Sequence, residues 1–208
     1  MQDALQQKVF ADFQKDTAKH EMTILQEEGA YRHIRFGEKG SSFYAINIAT
    51  WPGYLAVTGD MGDFVFTRVR DMFEFFRGKD NINPGYWGEK LVAEPRGSEY
   101  GKKWSEEAFK RDVHNYLEGN LEPLEDLESE DEIETNKAIR EEITESLKFI
   151  THKYEADDFI ANFDEHDFQF DSFYEYDCTE YTHQFLWICY AIVEVIKRYD
   201  AAKAEQAA

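Results

Sequence analysis

The side chains best equipped for chemistry lie in the C-terminal part of the chain. "FDEHD" (163–167) sets His166 among Asp164, Glu165 and Asp167. Carboxylates beside an imidazole raise its proton affinity or share a metal ion with it. Side chains of consecutive residues seldom converge on one point, so this run reads first as a surface cluster. His183 follows Asp177 and Glu180 at helical spacing, a weaker constellation, while His20, His33, His114 and His152 stand alone. The chain has no GxxxxGK[ST], GxSxG, HExxH or EF-hand pattern. Asp60 and Asp63 in "DMGDFVF" suit a turn better than a phosphate cradle or calcium loop. Cys178 and Cys189 are eleven apart with no CxxC, which reads as two reduced thiols packed as small hydrophobes. These residues name no catalytic set, no metal ligands and no cofactor. The reading favours a protein that binds over one that turns over a substrate.

The carboxylates carry the stronger signal. The 208 residues have a net charge of −20. Residues 1–117 hold 18 acids and 16 bases, residues 118–180 hold 22 and 4, and residues 181–208 hold 3 of each. Solubility alone does not require such segregation, because scattered charge serves equally well. In "EDLESEDEIE" (125–134) seven of ten side chains are acidic and none is basic. Part of this has a local cause. Ser129 and Glu132 fit a capping box, and Glu130, Asp131, Glu132 and Glu134 would meet the positive end of a helix dipole, at about 0.3–1 kcal/mol each. Lys148 and Lys153 sit at the other end. That leaves Glu118, Glu122, Glu125, Asp126 and Glu128 unexplained, and also the ten acids without a Lys or Arg in 155–180.

A surface of this kind fits a cationic partner. Duplex DNA carries one charge per about 1.7 Å of axis and each strand one per about 3.4 Å. A helix over 129–145, with seven acids and two bases, carries one net charge per about 5 Å. It needs the linker and the 155–180 segment beside it to approach a strand's density. The partner-binding residues expected on this reading are Glu125, Asp126, Glu128, Glu130, Asp131, Glu134, Asp157, Asp158, Asp164, Glu165 and Asp167. Phe163, Phe168, Phe170, Phe173, Tyr174 and Tyr176 either stack on the partner's arginines or, more simply, are buried.

The elements that must hold these residues are legible from periodicity. Leu5, Val9, Phe13 and Thr17 form one helical stripe, with Asp3 as N-cap and Gln6 three residues on. "MTILQ" (22–26), "YRHIRF" (31–36), "SFYAINIA" (42–49), "YLAVT" (54–58) and "FVFTRV" (64–69) read as strands of an antiparallel meander punctuated by glycines. Arg32 shares a face with Ile34 and Phe36, which spoils the alternation of the second strand. "DMFEFFR" (71–77) reads as one or two helical turns and 78–90 as a loop whose Tyr86 and Trp87 plug onto the core or contact a ligand. Ser105 caps a helix over 106–117, with Trp104 and Phe109 as a hydrophobic staple. Residues 119–128 form a linker. Ile139, Ile143, Leu147, Ile150 and Tyr154 line the next helix, and 161–177 holds a short strand with Phe168 and Phe170 on one face. A helix over 179–199, apolar nearly all round, precedes a frayed tail.

The expected fold is therefore α+β: an antiparallel sheet of about five strands (22–69) packed with N- and C-terminal helices. Residues 1–117 form its sheet-containing core, 118–180 an acidic helical segment packed on it, and 181–208 a buried helix completing one compact domain. No apolar run reaches the roughly 18 residues of a membrane span. "MQDALQQKVF" lacks the pattern of a signal peptide, which places the chain in the cytoplasm.

"SFYAINIATWPGYLAVTGDMGDFVF" with "FLWICYAIV" further on resembles a family of uncharacterised proteins carried by phages and other bacterial mobile elements. About 35 residues carry the likeness, and it transfers no catalytic residue. In charge logic the chain also resembles phage-encoded inhibitors of restriction or CRISPR defence that imitate DNA, though its first half is nearer neutral than theirs. The resemblance implies an anti-defence inhibitor acting in the host bacterial cell on a basic nucleic-acid-binding protein or complex. Total charge argues against direct nucleic-acid binding. Two other classes stand beside this one: a small-ligand binder using Tyr86 and Trp87, with Arg32, Arg35, Arg68 or Arg70 for an anionic nucleotide, and a metal-dependent enzyme with an unfamiliar site.

Overall fold

A computed structural model describes residues 2–78, 81–95 and 101–207, leaving out the side chains of Gln2 and Asp3. The chain divides into two compact units, one of residues 1–102 with 181–208 and one of 103–180. The division falls at 102/103 and not at 117/118, so the helix after Ser105 goes with the acidic segment.

In the first unit, α1 (Gln2–Asp16) precedes β1 (Glu21–Glu28), β2 (Tyr31–Gly37), β3 (Ile46–Trp51), β4 (Tyr54–Gly59) and β5 (Phe64–Thr67). Then come α2 (Met72–Phe76), α3 (Pro84–Gly88) and β6 (Leu91–Ala93). The six strands form one antiparallel meander in sequence order. Alternation makes it one-sided. Ile34 and Phe36, Ile46 and Ile48, Leu55 and Val57, and Phe64 and Phe66 are fully buried, while residues between them face the other way. The long helix after residue 182 packs into this core with Val9 and Phe13 of α1. It is buried at every residue from Phe185 to Cys189, as its all-round apolarity requires.

Several expectations change here. β3 begins at Ile46 and not at 42, because 42–45 is a turn in which Tyr44 has φ 53° and its N–H donates to Asp60 at 2.8 Å. β6 extends the sheet beyond residue 69. The 78–90 segment contains α3, capped by Asn83, and Trp87 is buried in the core. Asp3 lies inside α1, so it is not the N-cap, and its side chain is outside the described residues. Arg32, offered above for an anionic nucleotide, is buried on the face of Ile34 and Phe36, with two hydrogen bonds to Asp71 at 2.8 and 2.9 Å and its guanidinium 4.5 Å from the centre of the Phe73 ring.

The second unit contains β7 (Lys102–Trp104), α4 (Glu106–Asn120), α5 (Glu130–Leu147), α6 (Lys153–Asn162), a 3₁₀ turn at Phe173–Glu175 and β8 (Thr179–Tyr181), which pairs with β7. α7 (His183–Ala207) then returns the chain to the first unit, with regular helix through 200–207 where fraying was expected. The second core joins Phe109, Val113, Tyr116 and Leu117 of α4 to Ile139, Ile143 and Leu147 of α5. Ser105 caps α4 by accepting from the Ala108 N–H at 3.2 Å, and Trp104 meets Phe109. Ser129 stands at the N-cap of α5 but makes no cap bond, so the expected capping box is absent. Glu155 performs that function for α6, accepting from the N–H groups of Thr151 and His152 at 2.8 and 3.0 Å. Tyr154 is exposed on α6 and does not line α5. No helix among the described residues is long and apolar enough to cross a membrane.

Candidate acidic interface

Helix geometry sets the acidic face of α5. At about 100° per residue, Glu130, Glu134, Glu141 and Glu145 fall within about 60° of one another, with Asp131 and Glu142 beside them. The buried set, Asn136, Ile139, Ile143 and Leu147, occupies the opposite side. The core therefore turns the carboxylates outward, as in any amphipathic helix, and on this polar face they outnumber the bases, with the exposed Lys137 within the stripe and Lys148 bound to Glu145 at its end. Glu130 to Glu145 spans about 22 Å.

The loop between α4 and α5 adds to this face. Asn136 donates to the Glu122 carbonyl at 3.1 Å and Leu121 packs on the core, which pins the loop against α5. Two shallow clefts share Leu121. One, of about 350 Å³, is lined in part by Glu122, Asp131 and Glu132, and the other, of about 450 Å³, by Glu118, Glu125 and Arg140. Thus Glu122 borders the first turn of α5, whereas Glu118 and Glu125 lie beside Arg140, further along the helix. Glu125, Asp126, Glu128, Glu130, Asp131 and Glu134 are all exposed, and none joins an ion pair among the described residues.

The other expected interface residues form a second group. Asp157 and Asp158 are exposed on α6, and Asp164, Glu165 and Asp167 surround a tight turn. In that turn His166 and Asp167 have φ 52° and 62°, and Glu165 and Phe168 bridge across it. Phe163, Phe168 and Phe170 hold this turn against Tyr116 through ring contacts of 5.2 to 6.2 Å. Three of the five carboxylates already have partners: Asp157 binds Lys153 at 2.7 Å, Asp158 accepts from Asn162 at 2.8 Å, and Glu165 lies 3.5 Å from His166. The five belong to the same unit as the α5 face and lie on α6 and the turn after it.

The aromatic residues do not stand ready for arginines. Phe170 and Phe173 are buried, Phe163, Phe168 and Tyr176 pack on the second core, and only Tyr174 is free, at 82% exposure. Burial was the simpler reading and it holds. The metal alternative gains nothing from "FDEHD", since among the described residues no three His, Cys, Asp or Glu side chains gather to hold an ion. His183 faces Asp12 of α1 at 3.4 Å.

Sequence reasoning passed over Asp112. It is buried in the second core, accepts from the Cys178 N–H at 3.1 Å and pairs with Arg111 at 3.1 Å. Its place between Phe109, Val113 and Tyr116 on the α4 stripe was the available signal. Burial and the Asp112 charge push the Cys178 thiol up to about 12. Both cysteines are free.

In the sheet unit, Tyr86 and Trp87 line a cleft of about 610 Å³ with Phe75, Ile82, Asn83 and Glu74. Trp87 is its floor and Tyr86 its rim, with the Lys90 ammonium 4.7 Å from the Tyr86 ring centre. Arg32 does not reach it, being held by Asp71. No protein-family model, no curated protein and no solved structure matches the chain.

Proposed function

We propose that the chain is an anti-defence inhibitor of phage or mobile-element origin. Its 103–180 unit occupies a basic, nucleic-acid-binding surface of a host defence complex, restriction or CRISPR in type. The partner is a protein surface built for phosphate, and the mechanism is competition without turnover. The observation that carries this reading is the predominantly acidic face formed by the 121–128 loop and α5, where Glu125, Asp126, Glu128, Glu130, Asp131 and Glu134 join no ion pair among the described residues, while Glu145 is held by Lys148. Residues 103–180 hold 25 acids against 7 bases, while the remaining residues hold 18 against 16. A basic groove attracts such a face at long range and loses it as salt rises. The α5 group is the stronger half of the interface. Its six expected residues join no ion pair among the described residues, whereas Asp157, Asp158 and Glu165 are partly engaged at home.

Capture from bacterial lysate at low and high salt, followed by mass spectrometry, tests the reading. The expected result is a nucleic-acid-handling assembly that is recovered at low salt, lost at high salt, and lost again when Glu125, Asp126, Glu130, Asp131 and Glu134 are reversed to lysine together. Recovery that survives this reversal refutes mimicry. The 610 Å³ cleft beside Tyr86 supports the second reading, a small-ligand binder. In that case a metabolite raises the melting temperature and Tyr86→Ala abolishes the rise.

A further inference from the structure

The sheet has two unlike ends. The loops after β2 and β4 carry Glu38, Lys39, Asp60 and Asp63. The opposite end, formed by the turns after β1 and β3 and the segment after β5, carries Tyr31, Trp51, Tyr54, Arg68 and Arg70. Trp51 pairs with Tyr54 across the Pro52–Gly53 turn, with ring centres 5.3 Å apart and planes 18° from parallel. Arg32 pairs with Thr50 and both are buried, so Tyr31 and Trp51 lie on the outer face at neighbouring positions. The Gly53 N–H donates to the Arg70 carbonyl at 2.9 Å, and the Thr67 hydroxyl donates to the Gly53 carbonyl at 2.8 Å. These bonds tie the arginine-bearing segment to the hairpin tip. Arg68 and Arg70 are exposed, and neither has an ion-pair partner among the described residues. Behind the rings the sheet is low: His33, Ala49, Ala56 and Val65 form one cross-strand row. The neighbouring acids are Glu28, opposite Tyr31, Glu27, which is bound by Tyr199 and Lys203, and Asp71, which is taken by Arg32.

A stacked cross-strand pair often does no more than brace its hairpin. That accounts for Trp51 and Tyr54. It does not account for a third exposed ring and two unpaired arginines at the same edge. We propose that this edge is a stacking platform for single-stranded nucleic acid, with bases on Tyr31, Trp51 and Tyr54 and phosphates on Arg68 and Arg70. Every base has a π-face, so such a surface is tolerant of sequence, and arginine adds both charge and stacking. An acidic protein meets the arginines equally well but leaves the ring faces unused. The total charge of −20 argued against contact with nucleic acid, yet at physiological salt charges beyond about 8 Å are screened. The local balance at this edge is positive. The inference is independent of the acidic interface, because it concerns other residues and another class of ligand.

Fluorescence anisotropy of labelled oligo-dT and oligo-U of about twelve nucleotides, within the usual site size, tests it on the full chain. Saturable binding is expected, weakened about 10-fold to 100-fold by Trp51→Ala with Tyr54→Ala. Tyr31→Ala, at a residue 52% exposed, gives the same direction of change should the double variant misfold. Arg68→Glu with Arg70→Glu lowers the slope of log affinity against log salt by about 1.4, two contacts at about 0.7 each. Absence of saturable binding overturns the proposal. So does binding that is indifferent to all three aromatic residues, or displacement by polyglutamate with no effect of the aromatic variants, which assigns the edge to an acidic protein.

Discussion

At the scale of single residues, buried charge is the most consequential feature of the sheet unit. Burial pushes Asp71 up, but the double hydrogen bond from Arg32 and the Phe73 N–H outweigh it and hold the carboxyl below its ordinary value. Removing one partner of such a pair strands the other charge. Asp71→Asn is therefore expected to cost about 3 kcal/mol in urea unfolding at neutral pH. The pH dependence follows from the sign of the shift. A depressed carboxyl contributes stability above its unfolded value, here 3.8, and loses it as pH falls through the lower folded value. The wild type should thus lose more stability than Asp71→Asn on going below about pH 4. The thiols give a second test. Burial raises Cys189 well above the usual range, and burial with Asp112 carries Cys178 to about 12. Both should stay protonated and resist iodoacetamide at pH 8 in the folded chain, becoming reactive only in denaturant, as read by mass spectrometry.

At the scale of elements, turns and caps decide where strands and helices begin. Gly59 at the end of β4 has φ +147°, and a Cβ there would sit 2.2 Å from the Ala45 carbonyl oxygen. Gly53 in the Trp51–Tyr54 turn has φ +90° and open space around it. Gly59→Ala is therefore expected to cost at least about 3 kcal/mol, since strain and a backbone clash add. Gly53→Ala costs only about 1–2 kcal/mol, from strain alone. Thermal unfolding of the two variants should separate them clearly. Ser105 both caps α4 and donates to Glu180 at 3.0 Å, so Ser105→Ala should cost about 1–2 kcal/mol. These elements also show what the sequence revealed. Five strands were legible because an inward residue alternates with an outward one along each. The breach in that pattern at Arg32 was visible too, but its cause, Asp71, is distant in sequence. β6 escaped because three residues carry no period. The short strand expected in 161–177 is instead a single Glu165–Phe168 bridge followed by a 3₁₀ turn, because its rings alternate with acids while no regular element orders them. The boundary at 102/103 could not be read, since the stripe of α4 looks the same whichever core it joins. On the acidic face, the outward α5 residues followed from periodicity. The engagement of Asp157 by Lys153 was open to the same i,i+4 reasoning, but the pinning of the loop by Asn136 was not.

At the scale of the whole molecule, two cores and a lopsided charge predict how the chain unfolds. Trp51, Trp87 and Trp187 report on the sheet unit and Trp104 on the acidic unit. In the acidic unit, 25 carboxylic side chains face 7 basic ones, and most of the carboxylates are exposed. Their mutual repulsion opposes compaction. Raising sodium chloride from about 0.01 to about 1 M contracts the Debye length from about 30 to about 3 Å and removes most of that repulsion. The sheet unit, close to charge balance, has little to gain. Salt should accordingly raise the unfolding midpoint of the 103–180 unit, followed by Trp104 fluorescence after the other three tryptophans are replaced by phenylalanine. It should leave the midpoint of the sheet unit, followed in a Trp104→Phe chain, nearly where it was. Equal shifts in both would mean that the charge is shared across the molecule, and the proposed interface would then lose the segregation on which it depends. A selective shift would show that the acidic unit holds its carboxylates together against a cost in stability. Such a cost is expected of a surface kept for a cationic partner, and solubility alone does not demand it.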